Sequence, residues 1–192
     1  TSWDMAKFEV AHQKWMDLSE GDHGVALLND AKYGADTTGN VMRLSLLRAP
    51  KAPDPVCDMG RHRFTYVLMP HFGPYNYSGV VAAAYALNAP VRAVPIDPTP
   101  GATGGLPAFV ACNDRNVVIE TVKKAEDGDD LIVRLYECHN ARGRAELACA
   151  RPFTTASICD LDENPERELE VSEGLVQFEY RPFEIVTIRL SR

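Results

Sequence analysis

The stretch SEGDHGVALLNDAKYGADTTGNVMRLSLLRAP, residues 19–50, decides the fold class. Two apolar runs, Val25–Leu28 and Val41–Arg48, are separated and flanked by Gly, Asn and Asp. These residues favour tight turns, because glycine accepts positive φ angles and Asn or Asp side chains bond to the nearby backbone. The second run also alternates polar and apolar residues in its middle, which is typical of a strand. The stretch is therefore predicted to form strand, tight turn, strand, turn and strand.

The same pattern continues along the chain. Turn signals recur at Gly39–Asn40, Asp127–Gly128 and Glu173–Gly174, between extended runs. The further strand predictions are Lys7–Ala11, Arg63–Pro70, Val117–Val122, Leu131–Tyr136, Arg144–Ala150, Ala156–Asp160, Leu175–Tyr180 and Phe183–Leu190. About ten short strands with such turns predict an all-β chain folded as an antiparallel β-sandwich.

One segment has a helical pattern. VVAAAYALN, Val80–Asn88, presents an apolar face, is preceded by Ser78 as a predicted N-cap, and is stopped by Pro90. The following residues 90–107, PVRAVPIDPTPGATGGLP, are rich in proline and glycine and predict a long irregular loop. The prediction is thus a β-sandwich with one short helix and one long Pro/Gly-rich loop.

Composition limits the class of protein. A chain of 192 residues with 45% hydrophobic and 24% charged residues is typical of one globular domain, or at most two small ones. No run approaches the roughly 20 apolar residues of a membrane helix. The net charge of −7 argues against nucleic acid and anionic membrane surfaces. The acidic segment Asp160–Glu173 is interpreted as a solvated loop and strand edge.

The cysteine pattern favours a reducing compartment. Five cysteines, none in CxxC spacing, predict buried thiols and a cytoplasmic protein, with two disulfides and one free thiol as the alternative. The five are Cys57, Cys112, Cys138, Cys149 and Cys159.

No known catalytic motif occurs. The chain has no GxSxG, HExxH, P-loop or GxGxxG sequence. Its histidines are scattered singly, so each is interpreted as a surface or hydrogen-bonded structural residue rather than a metal ligand. Its carboxylates lie mostly in turns or in the acidic segment, and spacing alone brings no two of them together as a glycosidase pair. The sequence therefore predicts no catalytic and no metal-binding residue.

Six blocks, in order, carry a resemblance to a known family. They are LLNDAKYG (27–34), NVMRLSLLRAP (40–50), PDP (53–55), GRHRFTY with LMPH (60–71), VVIETVKKAEDGDDLIVRLYE (117–137) and PFEIVTIRL (182–190). Together they resemble the C-terminal β-domain of glycoside hydrolase family 38 α-mannosidases, most closely the cytosolic and bacterial branch. The resemblance implies that residues 1–192 form one C-terminal β-sandwich domain, of the galactose-mutarotase-like type, within a larger retaining α-mannosidase.

The resemblance also implies what lies outside this chain. The nucleophile, the zinc or cobalt ion and its ligands belong to an N-terminal domain, whose motifs do not occur here. That catalytic domain and a mannoside oligosaccharide are the implied partners. The first residue is Thr1 rather than Met, and we expect a fragment of a longer chain.

The turn in LLNDAKYG is the predicted rim of the substrate site. Asn29, Asp30, Lys32 and Tyr33 place polar and charged groups between two apolar runs, where they can bond to sugar hydroxyls. The competing interpretation is turn chemistry, with Asn29 or Asp30 accepting backbone N–H bonds and Gly34 supplying positive φ. The two interpretations are compatible, because a rigid turn also presents side chains.

Three further groups have two interpretations each. Arg48, Arg61 and His62 are predicted to pair with Asp54 or Asp58, with a sugar-facing role as the alternative. Trp3 and Trp15 are interpreted as edge or interface packing, with a sugar platform as the alternative. Glu137 and His139 are interpreted as turn residues, with an interdomain contact as the alternative.

Three functions stay open at the level of sequence. The first is an accessory domain of an α-mannosidase, inactive alone. The second is an independent carbohydrate-binding β-sandwich. The third is an assembly domain that forms a homo-oligomer.

Overall fold

The computed structural model describes residues 2–5, 8–95 and 108–192. The chain divides into two compact units, Thr1–Ile96 and Asp97–Arg192, called unit 1 and unit 2. The prediction of a single domain over 1–192 stays a prediction. Of the predicted Pro/Gly-rich loop, residues 90–95 form neither helix nor strand, and residues 96–107 lie outside the described part.

The described part of unit 1 contains two three-stranded antiparallel sheets, ordered β1-β4-β5 and β2-β3-β6, and two α-helices. A short 3₁₀ helix, Tyr75–Tyr77, precedes the second helix. The elements are α1 (Ser2–Met5), β1 (Val10–Ala11), β2 (Trp15–Glu20), β3 (His23–Asn29), β4 (Gly34–Thr38), β5 (Val41–Leu44), β6 (Tyr66–Phe72) and α2 (Val80–Asn88).

Helix α2 covers one face of the β2-β3-β6 sheet. Alternation along β3 places Ala26 and Leu28 on that face, where they form a buried cluster with Val80 and Ala84 of the helix. The predicted helix is confirmed, but its predicted cap is wrong. Gly79 occupies the N-cap position with φ of 77°, while Ser78 instead donates through Oγ to the Tyr75 carbonyl.

The second small sheet packs against the other side of the same strands. Met16 of β2, Leu27 of β3 and Ala35 of β4 form a buried cluster, with Met42 and Leu44 of β5 packed at its edge. Successive strand residues point to opposite faces, so β3 supplies both clusters from neighbouring positions. The polar turn between β3 and β4 therefore follows a strand that is packed on both faces, by α2 on one side and by residues of β2, β4 and β5 on the other.

Unit 2 is a sandwich of two antiparallel sheets, ordered β13-β14-β10-β7 and β12-β11-β15-β9-β8. Its strands are β7 (Val110–Cys112), β8 (Val117–Lys124), β9 (Leu131–Glu137), β10 (Gly143–Cys149), β11 (Thr155–Cys159), β12 (Pro165–Leu169), β13 (Val171–Ser172), β14 (Leu175–Tyr180) and β15 (Ile185–Ser191).

One apolar core lies between the two sheets of unit 2. It combines inward residues of both, among them Leu147, Val176 and Phe178 from one sheet and Val133 and Ile188 from the other. Alternate residues of each strand face this core, which is the pattern that predicted the strands. The antiparallel β-sandwich prediction is confirmed. The acidic segment contains the edge strands β12 and β13.

All five cysteines are free thiols in the structure. No helix within residues 2–5, 8–95 and 108–192 is long and apolar enough to cross a membrane.

Candidate functional site

Asn29 closes the turn between β3 and β4. Its side chain is fully buried, and its Oδ1 accepts the backbone N–H of Lys32 at 2.8 Å. Its backbone N–H donates to the Lys14 carbonyl at 2.9 Å, and its own carbonyl accepts Asn88 Nδ2 of α2 at 2.9 Å. The prediction of turn chemistry is confirmed for this residue, and the helix end helps to hold the turn.

His12 joins the turn from the other side. The Asn29 amide donates to His12 Nε2 at 2.8 Å, and His12 Nδ1 donates to the Tyr33 carbonyl at 3.2 Å. These two bonds require a neutral imidazole protonated on Nδ1, since Lys32 N–H already occupies the Asn29 oxygen. Burial lowers the pKa of His12, and the bond to the Tyr33 carbonyl opposes that effect more weakly.

Asp30 ties the turn to the segment entering β6. Its Oδ1 accepts the Thr65 N–H at 2.9 Å, and its own N–H donates to the Thr65 carbonyl at 3.2 Å. The Thr65 backbone N–H is the largest influence holding the pKa of Asp30 below its ordinary value. The Asp30 carboxylate is therefore charged at neutral pH, and it links the turn to the segment before β6.

Lys32 and Tyr33 present the outer surface of the turn. Lys32 Nζ lies 4.9 Å from the centre of the Phe64 ring, a cation–π contact. Tyr33 is 48% exposed, and Tyr66, opposite Asn29 in the β3–β6 register, is 54% exposed. A cation and exposed aromatic rings can bond to hydroxyl groups and pack against the apolar face of a sugar ring.

Sequence reasoning missed His12, Phe64 and Tyr66. His12 reaches the turn because β1 pairs with β4, with Val10 opposite Ala35 and Ala11 opposite Gly34. Tyr66 lies beside the turn because β6 pairs with β3 along its whole length. The only sequence signal for this surface is the spacing of Phe64 and Tyr66 two residues apart, which by itself indicates one face of a strand.

A second histidine, His71, belongs to a buried polar cluster of unit 1. His71 Nε2 lies 2.6 Å from Asp17 Oδ2, and both side chains are at most 5% exposed. Ser19 Oγ donates to the other Asp17 oxygen, and His71 Nδ1 donates to the Gly73 carbonyl at 3.0 Å. Each group has a partner within the fold, so the cluster is structural, as predicted for His71.

Glu137 organises the loop that follows β9 in unit 2. This carboxylate is 1% exposed and accepts four backbone N–H groups. The donors are His139 at 2.7 Å, Asn140 at 3.1 Å, Ala141 at 2.9 Å and Phe183 at 2.8 Å. The turn prediction for Glu137 is confirmed, and Asn140 and Phe183 adopt positive φ angles around it.

Two aspartates that follow β5 accept hydrogen bonds from backbone N–H groups. Asp54 accepts the Val56 N–H at 3.0 Å, and Asp58 accepts the Ala49 N–H at 3.1 Å. His62 Nε2 bonds to the Asp58 backbone carbonyl at 2.7 Å, so the predicted pairing of His62 with Asp58 is made through the backbone.

The two tryptophans differ in environment. Trp15 stacks on Tyr75 with ring centres 5.1 Å apart, beside the α2 cluster. The packing interpretation is therefore confirmed for Trp15. Trp3 is 81% exposed.

The described residues do not assemble a metal site. No group of three or more His, Cys, Asp or Glu side chains within them is placed to hold a metal ion. Burial raises the pKa of Cys138 to about 11, so it remains a protonated thiol at neutral pH. The chemistry that the β3–β4 turn offers is binding and positioning.

Both units are built mainly from antiparallel β-sheets, and similarity to known proteins identifies the family of this β-structure. Residues 1–56 match the glycosyl hydrolases family 38 C-terminal domain, and residues 116–188 match the family 38 C-terminal beta sandwich domain. The chain belongs to glycoside hydrolase family 38, as a C-terminal β-domain of that family.

Relatives match along essentially the whole chain. It is 45% identical over 195 residues to alpha-mannosidase 2C1 of Homo sapiens, covering 99% of this chain and 19% of the relative. It is 39% identical over 196 residues to alpha-mannosidase G of Dictyostelium discoideum, covering 98% and 18%. The chain thus spans about a fifth of the length of these relatives.

The fold also matches a solved structure. An alpha-mannosidase from Enterococcus faecalis V583 aligns with a TM-score of 0.75 at 20% identity, covering 96% of this chain and 21% of that protein.

Proposed function

We propose that this chain is the accessory domain of a retaining α-mannosidase that hydrolyses terminal α-mannosides, and that it does not cleave them alone. The observation that supports this most is the 45% identity to an α-mannosidase along 99% of the chain. Within the described residues, no group of three or more His, Cys, Asp or Glu side chains is placed to hold the metal ion of such an enzyme. Bond cleavage is therefore assigned to the N-terminal catalytic domain of the parent protein.

The β3–β4 turn is the proposed contribution to the substrate site. The Asn29 carboxamide and the Asp30 carboxylate already accept hydrogen bonds from backbone N–H groups. Asn29 and Asp30 act as positioning residues. Tyr33 is exposed and Lys32 is half-buried beside Phe64, so these two are the side chains proposed to touch the mannoside on the rim of the catalytic pocket.

The parent enzyme is proposed to be cytoplasmic and to bind a divalent metal, zinc or cobalt, in its catalytic domain. The relatives' names support an α-mannosidase. The donor set of this chain does not fit that metal, because no three ligating side chains of the described residues converge. The metal is thus expected to add Lewis-acid chemistry outside these 192 residues.

The test uses release of an aryl group from an aryl α-mannoside. The 192-residue chain alone is expected to release none, while the full-length parent is active. Lys32→Ala in the parent should raise KM with little loss of protein stability, and Lys124→Ala in unit 2 serves as the exposed control. Metal-dependent turnover by the isolated chain would overturn the proposal, as would a full-length parent inactive on every α-mannoside.

A further inference from the structure

Unit 2 carries a polar groove that the β3–β4 turn does not explain. A cavity of about 410 Å³ lies where the acidic edge strands meet the β10–β14 pair. Alternation along β14 turns Leu175 and Gln177 outward, away from the core residues Val176 and Phe178. The lining residues used below are Arg144, Arg167, Leu169, Glu173, Leu175 and Gln177.

The groove combines an apolar patch with a rim of opposite charges. Leu169 and Leu175 are half-buried, while Arg144, Arg167 and Glu173 are exposed. Arg144 and Arg167 are accompanied by three carboxylates on the lining: Glu168, Glu170 and Glu173. Such a rim of mixed charges has a small net charge, and it offers both hydrogen-bond donors and acceptors to a neutral ligand.

The two guanidinium groups are available for a ligand. Among the described residues, no ion pair within 4 Å joins Arg144 or Arg167 to a carboxylate. Arg189 of the same unit contrasts with them, because it binds Asp127 at 2.9 Å and Asp130 at 2.7 Å. A guanidinium fork with free N–H groups can bond to two neighbouring hydroxyls at once.

One amide of the groove is already oriented. Gln177 Nε2 donates to Glu146 Oε1 at 2.9 Å, and the other Glu146 oxygen accepts Asn113 Nδ2 at 3.0 Å. This chain of bonds fixes the Gln177 side chain before any ligand arrives, which lowers the entropy lost on binding.

The groove extends along unit 2 into a second cavity. This cavity of about 380 Å³ shares Arg167 and is lined by Arg142, Glu179 and Arg181. Two adjoining cavities with the same mixture of guanidinium and carboxylate groups suit an extended ligand rather than a single ring. We infer that this groove binds a neutral oligosaccharide, with hydroxyls on the charged rim and the carbon face of a ring on Leu169 and Leu175.

The test is a titration of the 192-residue chain, followed by backbone amide NMR, with mannotriose, maltotriose and inorganic phosphate as separate probes. Saturable shifts around Arg144 and Gln177 with mannotriose, in the millimolar range typical of weak single sites, are expected. Arg144→Ala and Arg167→Ala should each weaken binding about tenfold, because each removes a charge-assisted donor. Lys124→Ala, exposed and outside both cavities, should bind like the unaltered chain.

Three results would overturn the inference. They are absence of shifts with both sugars, shifts with phosphate alone, and shifts confined to residues 29–34. Unchanged spectra elsewhere in the Arg144→Ala and Arg167→Ala variants show that they still fold. The outcome is independent of the proposed function, since binding is measured without hydrolysis and hydrolysis is measured on the full-length parent.

Discussion

The Asn29 side-chain nitrogen lies 2.8 Å from His12 Nε2, so a buried amide donates to an imidazole that must be unprotonated at that atom. If His12 Nε2 were protonated, the Asn29 amide could not turn its oxygen toward that proton, because the oxygen is bonded to the Lys32 N–H. The β3–β4 turn therefore depends on the charge state of a residue 17 positions earlier.

The first prediction concerns the titration of His12. Its folded pKa lies below the ordinary 6.5, mainly because it is buried. The stability it contributes is present above about pH 6.5 and is lost as the pH falls through the folded value. NMR titration of the histidine ring protons should give His12 a midpoint below 6.5.

His23 supplies the internal comparison for that titration. Asp22 Oδ1 lies 2.9 Å from His23 Nδ1 and raises the pKa of this exposed histidine. The His23 midpoint should therefore lie above 6.5. A His12 midpoint equal to or above that of His23 would contradict the described hydrogen bond.

The second prediction concerns Asn29→Asp. The substitution keeps an acceptor for the Lys32 N–H but directs a carboxylate oxygen at His12 Nε2, where a donor is required. We expect His12 to bind a proton more readily, so its titration midpoint should rise above that in the unaltered chain. Asn29→Ala lacks both bonds and should destabilise the fold by about 1–3 kcal/mol in urea unfolding.

Asp36→Asn is the control for the Asn29 variants. Asp36 is on β4 of the same unit and pairs at the surface with Arg43 at 2.9 Å. An exposed ion pair of this kind contributes little, so this variant should differ by under about 1 kcal/mol. Equal destabilisation by Asn29→Ala and Asp36→Asn would refute the structural role given to Asn29.

The sequence predicts the turn but not its support, for a physical reason. Asn29 carries a local signal, because Asx bonding acts within a few residues. The predicted positive φ of Gly34 is wrong, because Gly34 is already the first residue of strand β4 and has extended backbone. His12 carries no local signal, since its place depends on the β1–β4 register. Strand β12, with the sequence PEREL, has a composition that disfavours strands, and it forms because it pairs with β11 at a sheet edge.

The same distinction explains the helix. Its apolar face and the following proline predict Val80–Asn88 correctly, because both act through the helix itself. The cap prediction is wrong because the 3₁₀ helix before it uses the Ser78 hydroxyl. Gly79 then provides the left-handed residue at the helix start.

The third prediction concerns Glu137→Gln. The carboxylate accepts four backbone N–H groups, two on each oxygen. A glutamine side chain offers only one oxygen, so two buried N–H groups would face an NH₂ group. We expect a loss of about 3 kcal/mol in the free energy of unfolding of unit 2, measured in urea.

Glu179→Gln is the matched control for Glu137→Gln. Glu179 lies on β14 of the same unit, at the surface opposite Arg144. Its variant should stay within about 0.5 kcal/mol of the unaltered chain. If Glu137→Gln were equally mild, the four bonds would not be holding the loop after β9.

The last prediction concerns two glycines of unit 2, one crowded by a neighbouring side chain and the other with room for a methyl group. A Cβ atom on Gly143 would lie 2.5 Å from Tyr180 Oη and 2.9 Å from Tyr180 Cζ. That ring is fixed, because it is buried and its hydroxyl donates to Asp114 Oδ2 at 2.5 Å and accepts from Asn116 Nδ2 at 3.2 Å. Gly143→Ala should therefore destabilise unit 2 by about 1–3 kcal/mol, as overpacking does.

Gly128 provides the comparison. A Cβ atom there would meet only Arg189 Nη2, at an ordinary contact distance of 3.7 Å. Because alanine also restricts the unfolded chain, Gly128→Ala should leave stability unchanged or raise it by up to about 1 kcal/mol. Thermal unfolding of both variants separates steric overlap with Tyr180 from a general effect of replacing glycine. If the two variants shifted the melting temperature alike, the close approach of Gly143 to Tyr180 would not be the cause.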